Sequence, residues 1–167
     1  MTQILRILGI DPGLTATGWA MIEVKGFQLS GIDSGTIKSN ASTPLAKRLG
    51  DLYDSLHDIM IRNQPDEVAV EETFVNQNPA SALKLGHARG IALAAPARFG
   101  LPVYEYAPNQ IKKALVGAGH ADKKQVQHMV SILVPNAKFK SADAADAFAI
   151  AICHAHHRPS ILQRVFS

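Results

Sequence analysis

The run SADAADAFAIAICHAHH, residues 141–157, limits how this 167-residue chain can fold more than any other stretch. From Ala144 to His157 it has the composition of a helix with Ala, Ile and Phe on nearly every side, and such a helix has to be buried. Its formal charges are two aspartates, Asp143 and Asp146, with no Lys or Arg before Arg158. At i and i+3 the two acids share one face, so whatever covers this helix must also receive two like charges. Ser141 offers an N-cap, and an acid in the first turn gains about 0.3–1 kcal/mol from the helix dipole. That accounts for Asp143 better than for Asp146, which lies further in.

The preceding chain offers a sheet as the cover. ILRILGI (4–10) is a short apolar run stopped by DPG, as a buried strand running into a turn. GWAMIEV and FQLSGIDSGTI read as two more strands, joined near Lys25-Gly26 as an antiparallel hairpin. Thr43 and Pro44 open a helix, as N-cap and first helical residue, with Leu45, Leu49, Leu52, Leu56, Ile59 and Met60 at helical spacing. Asp51, Asp54 and Asp58 form its solvated stripe. QPDEVAVEETF is a turn into a fourth strand, residues 78–97 a second helix and LPVYEY a fifth strand, with the remainder helices joined by GAGHADKK. The order is β-β-β-α-β-α-β-α-α. It predicts an α/β fold with a five-stranded mixed sheet, antiparallel in its first three strands and parallel thereafter, flanked by helices. No repeat or linker divides it.

The length suits one domain with a sizeable core. No apolar segment approaches the ~20 residues of a membrane span, the N-terminus lacks a signal-peptide pattern, and the lone Cys153 excludes an internal disulfide framework. A cytoplasmic protein without a membrane role is expected. NAS at 40–42 matches a glycosylation acceptor by chance on that reading. Charge is uneven: residues 1–73 hold 6 Lys/Arg against 10 Asp/Glu, and residues 74–167 hold 11 against 4. A basic second half suits a polyanion such as nucleic acid, and equally an ordinary solvated basic face.

Asp11 stands where the first strand stops, and Glu71 ends EVAV in the fourth. If those strands are adjacent and parallel, both acids emerge at the carboxyl edge of the sheet, where ligand sites in α/β folds lie. Taken singly, Asp11 is also good turn chemistry before Pro-Gly, and Glu71 an ordinary polar strand end. Docking the alanine-rich helix on the sheet brings Asp143 and Asp146 toward them. Four converging carboxylates repel and gain protons unless a cation intervenes. Hard divalent ions take oxygen ligands, and two of them about 3.5–4 Å apart activate water and stabilise a leaving oxygen in phosphodiester cleavage.

GIDPG, AVEETF, SALKLGHARG, VGAGHADKKQVQHMV and ADAADAFAIA, in this order and spacing, resemble the bacterial Holliday junction resolvases of the RuvC type, the crossover junction endodeoxyribonucleases. The resemblance runs from about Ile4 to His157. It implies an RNase H-like nuclease domain over 1–157 with a short tail at 158–167. It also implies a homodimer that nicks a four-way DNA junction symmetrically in recombination and repair. The family's acidic site falls on Asp11, Glu71, Asp143 and Asp146, with two Mg²⁺ ions (Mn²⁺ as a substitute). Glu71 is preferred to Glu72, which faces the other way along a strand. A branch-migration motor, the RuvA–RuvB complex, and a short thymine-containing cleavage site are further implications.

Lys112 and Lys113 lie on the helix after APNQ, and Lys123 and Lys124 open another. Gly117 and Gly119 free the backbone between them for a phosphate or for a plain helix connection. The resemblance assigns phosphate contacts to Lys112 and Lys123 and makes Phe74 a stacking residue, worth about 1–3 kcal/mol per base. Phe74 as a core residue is the alternative. Ala82, Gly86, Gly90 and Ala94 form a stripe that suits either the chain's own sheet or, by resemblance, a second copy. Cys153, His154, His156 and His157 suggest zinc, but one helix cannot supply four tetrahedral ligands from them, so surface or DNA-facing histidines are expected. A noncatalytic junction-binding protein would not need acids facing phosphate. An Asp-x-Gly ATPase or sugar kinase would need two lobes, for which the chain is too short.

Overall fold

The computed structural model describes residues 3–72 and 78–158. Strands β1 (Ile4–Asp11), β2 (Ala16–Lys25) and β3 (Gln28–Lys38) form an antiparallel meander turned at Gly26, which adopts φ 62°. Helix α1 (Leu45–Asn63) leads to β4 (Glu67–Glu71), and α2 (Pro79–Phe99) leads to β5 (Val103–Tyr106). Three helices follow: α3 (Pro108–Val116), α4 (Lys123–Leu133) and α5 (Ala142–His157). The sheet order is β3-β2-β1-β4-β5, with β1, β4 and β5 parallel. The five-stranded mixed sheet flanked by helices is the architecture expected from the sequence.

Period-two alternation sorts the side chains into two cores. Leu8, Ile10, Val68 and Val70 face α1 and α2, whereas Ile7 and Ala69 face α5. Ten of the sixteen residues of α5 are buried, from Ala144 to His154, as an apolar helix demands. Its seat is a strip of sheet without side chains. A Cβ on Gly9 would overlap the carbonyl oxygen of Ala147 and stand 3.1 Å from the Ala151 Cβ. One on Gly18 would overlap the carbonyl of Asp143. Asp143, Ala147 and Ala151, one turn apart, thus rest on the backbones of β1 and β2.

Three details differ from the sequence reading. First, α1 starts at Leu45, and Pro44 at ψ 142° is its N-cap. Thr43 instead closes a turn by donating its N–H to the Asn40 carbonyl, while Pro44 O accepts from Arg48 N at 3.1 Å. Second, three helices end the order rather than two, because Val134 to Ser141 leave the helical path between α4 and α5. Third, His154 is not at the surface. It is fully buried, with Nδ1 2.7 Å from the Tyr106 hydroxyl and Nε2 2.7 Å from Glu67 Oε2. Position 154 lies on the sheet side of α5, and the buried Glu67 requires partners there. Arg158 supplies another, donating to both Glu67 oxygens at 3.2 and 3.1 Å. Burial pushes the Glu67 pKa up, but Arg158 and His154 together hold it below the ordinary value. Cys153 is buried, and His156 and His157 are exposed.

The acids of α1 (Asp51, Asp54 and Asp58) are exposed, as a solvated stripe should be. On α2 it is Ala88, Ala92 and Ala95 that pack inward, while Gly86, Gly90 and Ala94 face out and Ala82 is half-buried. Among the described residues no helix is long and apolar enough to cross a membrane.

Replacing Gly9 by Ala should force α5 off the sheet. We expect a loss of about 1–3 kcal/mol or more, read as a lower urea midpoint with unchanged slope; a neutral effect would show that the close contact is not tight.

Candidate active site

The β1–β4 register pairs Ile10 with Val70, which sets Asp11 beside Glu71 as the next residues along. Asp11 has the parity of Ile7 and Gly9, and Glu71 that of Glu67 and Ala69, so both turn toward α5. Because Ala147 lies on Gly9 and Asp143 on Gly18, the first turns of α5 come down beside those strand ends. Asp146 then joins Asp11 and Glu71 around a cavity of about 390 Å³. Its opposite wall is α3 and α4, with Lys112 and Lys123 lining it.

The electrostatics show how closely the acids meet. Burial, then the charges of Glu71 and Asp146, push the Asp11 carboxyl up to about 8, with hydrogen bonding to Glu71 acting in the same direction. Burial also raises Glu71, against the pull of that hydrogen bond and of Lys112 and Lys123. Asp146 is raised chiefly by burial, although Lys123 Nζ lies 3.4 Å from its Oδ2 and pulls the other way. Asp146 in turn is the largest influence raising Lys123. Asp143 does not line the cavity, but its charge reaches Asp11.

Of the four lysines, Lys112 and Lys123 face the acids. Lys113 folds over Gly119, its Cε 3.5 Å from where a Cβ would be, and Lys124 is exposed away from the cavity. Gly117 closes α3 in the left-handed region at φ 79°. Phe74 lies outside the described residues. Two contributors were missed by sequence reasoning. Asp122 lines the cavity while capping α4, its carboxylate accepting from Gln125 N at 2.9 Å, and D-x-x-Q ahead of a helix was the available signal. Gly18 seats Asp143, and its signal was a glycine inside an apolar strand.

Among the described residues no three carboxylate, histidine or cysteine groups are placed so that they could hold a metal ion. The donor chemistry nevertheless fits a hard divalent cation: half-buried acids gathered with too few positive partners, each raised by desolvation and by its acidic neighbours. Asp11, Glu71 and Asp146 are the residues that would hold it, with the charge of Asp143 reaching Asp11 from outside the cavity.

The signature of the family described as crossover junction endodeoxyribonuclease RuvC matches residues 7–154. The chain belongs to that family. A relative of that name from Allorhizobium ampelinum is 58% identical over 158 residues, covering 95% of this chain and 94% of the relative. Another, from Agrobacterium fabrum, is 56% identical over 95% of this chain and 93% of its own length. The structure of T. thermophilus RuvC in complex with a Holliday junction substrate superposes with a TM-score of 0.85 at 36% identity, covering 90% of this chain and 93% of that one.

The raised acids give a pH prediction. Asp11 binds its proton to about pH 8 in the folded chain but only to about 3.8 when unfolded, so the unfolded state loses the proton first. Stability without metal should therefore fall as pH rises between those values, with Glu71 and Asp146 acting in the same direction. Thermal melts in EDTA should drop from about pH 5 to pH 8 more in the wild type than in Asp11→Asn, and Mg²⁺ should restore more at the higher pH. Parallel profiles for the two proteins would contradict the site electrostatics.

Proposed function

We propose that this protein resolves four-way DNA junctions as a homodimer, hydrolysing one phosphodiester in each of two strands at a site built from Asp11, Glu71, Asp143 and Asp146. The observation that carries the reading is the meeting of the half-buried Asp11 and Glu71 with Asp146 in a cavity walled by Lys112 and Lys123. A protein that only bound DNA would gain nothing from clustered acids turned toward phosphate. Membership of a family of junction endonucleases gives the reaction class, and with it the use of a divalent metal.

The chain's own groups divide the work. Asp11 and Glu71, fixed on strand ends, form the rigid side of the site, and α5 brings Asp146 against them. Two Mg²⁺ ions, with Mn²⁺ able to substitute, would supply an activated water and offset charge at the leaving oxygen. Lys123 can exchange its contact with Asp146 for a phosphate oxygen, and Lys112 reaches the same cavity from α3. Phe74, next to this site in sequence, would stack on an unpaired base. Lys113 and Lys124, turned outward, would meet backbone farther along the DNA. The outward stripe of Gly86, Gly90 and Ala94 beside the exposed Leu83 suits a twofold mate, and two symmetric sites are what paired incision needs. A RuvA–RuvB motor and a thymine-containing cleavage site, in the cytoplasm, complete the proposal.

Synthetic four-way junctions of varied sequence, incubated with Mg²⁺ and then with EDTA, test it. Paired, metal-dependent nicks on opposite strands are expected, and their absence across all sequences would overturn the reading. Asp146→Asn should lower cutting by on the order of 10²–10³ or more while junction binding at low salt persists. Loss of binding instead would give Asp146 a structural role.

A further inference from the structure

The outer rim of the sheet carries a second basic feature that the acid site does not use. β3 is an edge strand, and the connection between α4 and α5 is fastened along it. Asn136 grips the backbone of Gly31 on both sides, its Oδ1 accepting from Gly31 N at 2.9 Å and its Nδ2 donating to Gly31 O at 3.0 Å. Ser34 Oγ donates to the Lys138 carbonyl at 2.9 Å, and the Thr36 and Ser141 hydroxyls lie 2.7 Å apart. These bonds hold the connection in place along a groove of about 810 Å³. Lys38, Lys138 and Lys140 line it, all exposed, and none pairs with a carboxylate among the described residues. The acid on the groove, Asp33, is paired with Arg62 at 3.6 Å. Three cations without a carboxylate partner among the described residues, on a fixed scaffold, make a surface that attracts a polyanion.

Its position connects it to the acids. Thr36 pairs with Gly18 across β2 and β3, and Gly18 is the residue on which Asp143 rests. Ser141, at the Thr36 end of the groove, caps the helix that carries Asp143 and Asp146. The groove therefore starts within about one strand spacing, roughly 4.8 Å, of the seat of α5 and runs outward along β3.

We propose that this groove is a second DNA-contact track, which takes the phosphate backbone of a duplex arm as it leaves the catalytic acids. The inference rests on the junction-nuclease reading above for the presence of such an arm. Lys138 and Lys140 contact phosphates from the fastened connection, Lys38 from the end of β3, and the hydroxyls of Thr36 and Ser141 border the path. Such contacts position DNA without reading its sequence.

Equilibrium binding of labelled four-way junctions to the full chain, titrated with salt in EDTA, tests the track with arms of about 25 and about 6 base pairs. The combined variant Lys38→Ala, Lys138→Ala, Lys140→Ala should flatten the slope of log K against log salt by about 2–3 on long arms. Its affinity near physiological salt should fall at least tenfold. On short arms the loss should largely disappear. An unchanged slope in a variant with wild-type melting temperature would make these lysines a solvated face or the seat of another partner, and overturn the proposal. Equal losses on long and short arms would overturn it too, because the contacts would then not be with the arm. Lys138→Glu with Lys140→Glu gives a second reading, expected to shift binding further in the same direction. Wild-type nicking with Mg²⁺ is scored on the same junctions. Failure of the nuclease reading appears as no nicks at any salt, and failure of the track as unchanged slopes in a protein that still cuts.

Discussion

The structure depends on a backbone-to-backbone contact. α5 lies on β1 and β2 at Gly9 and Gly18 with no side chain between, so its height above the sheet is fixed by main-chain contact. Packed interiors cannot take up even a methylene without strain, and at this height the helix buries every residue from Ala144 to His154 except Asp146. The far end is fastened differently, by the buried Glu67 held between His154 and Arg158. Breaking one partner of such a network costs about 3–5 kcal/mol, because the other is left buried and unpaired. Two unlike restraints, one steric and one polar, leave the helix little freedom to slide.

That placement creates the electrostatic problem from which the function follows. Asp11 and Glu71 turn toward the helix because strand parity leaves them no other side, and the helix delivers Asp146 to the same cavity. Burial and mutual repulsion raise all three acids, and Lys112 and Lys123 offset only part of it. A site with crowded, half-buried carboxyls and lysines at its wall suits a divalent cation together with a phosphate. On the proposed function, the same lysines that now face the acids would face a substrate phosphate. The fold thus holds an unfavourable arrangement ready for the partners that relieve it.

Much of this was legible in the sequence because it rests on local pattern. Apolar runs ended by Asp-Pro-Gly and by Glu-Glu marked the two strand ends, and the alanine-rich helix announced both its burial and its anomalous acids. The five quoted motifs resembled the family to which the chain belongs. What sequence alone did not yield came from tertiary demand. His154 looked like part of a surface cluster, yet a buried Glu67, 87 residues away, requires it inside. Nothing local to CHAHH announces that partner. Gly18 read as an ordinary strand residue until the helix resting on it was seen. The resemblance singles out Lys112 over its neighbour Lys113, and helix phase about the cavity gives the reason: one faces the acids and the other folds over Gly119.

The central claim is that Asp11, Glu71 and the α5 acids form one cation site. Anomalous diffraction from crystals of this protein soaked in Mn²⁺ tests it most directly. The account predicts manganese peaks coordinated by Asp11 and Glu71 together with at least one of Asp143 and Asp146, with Lys123 displaced from Asp146. Saturating Mn²⁺ that leaves this cavity without a peak, the Lys123–Asp146 pair intact and the ion bound elsewhere would contradict it.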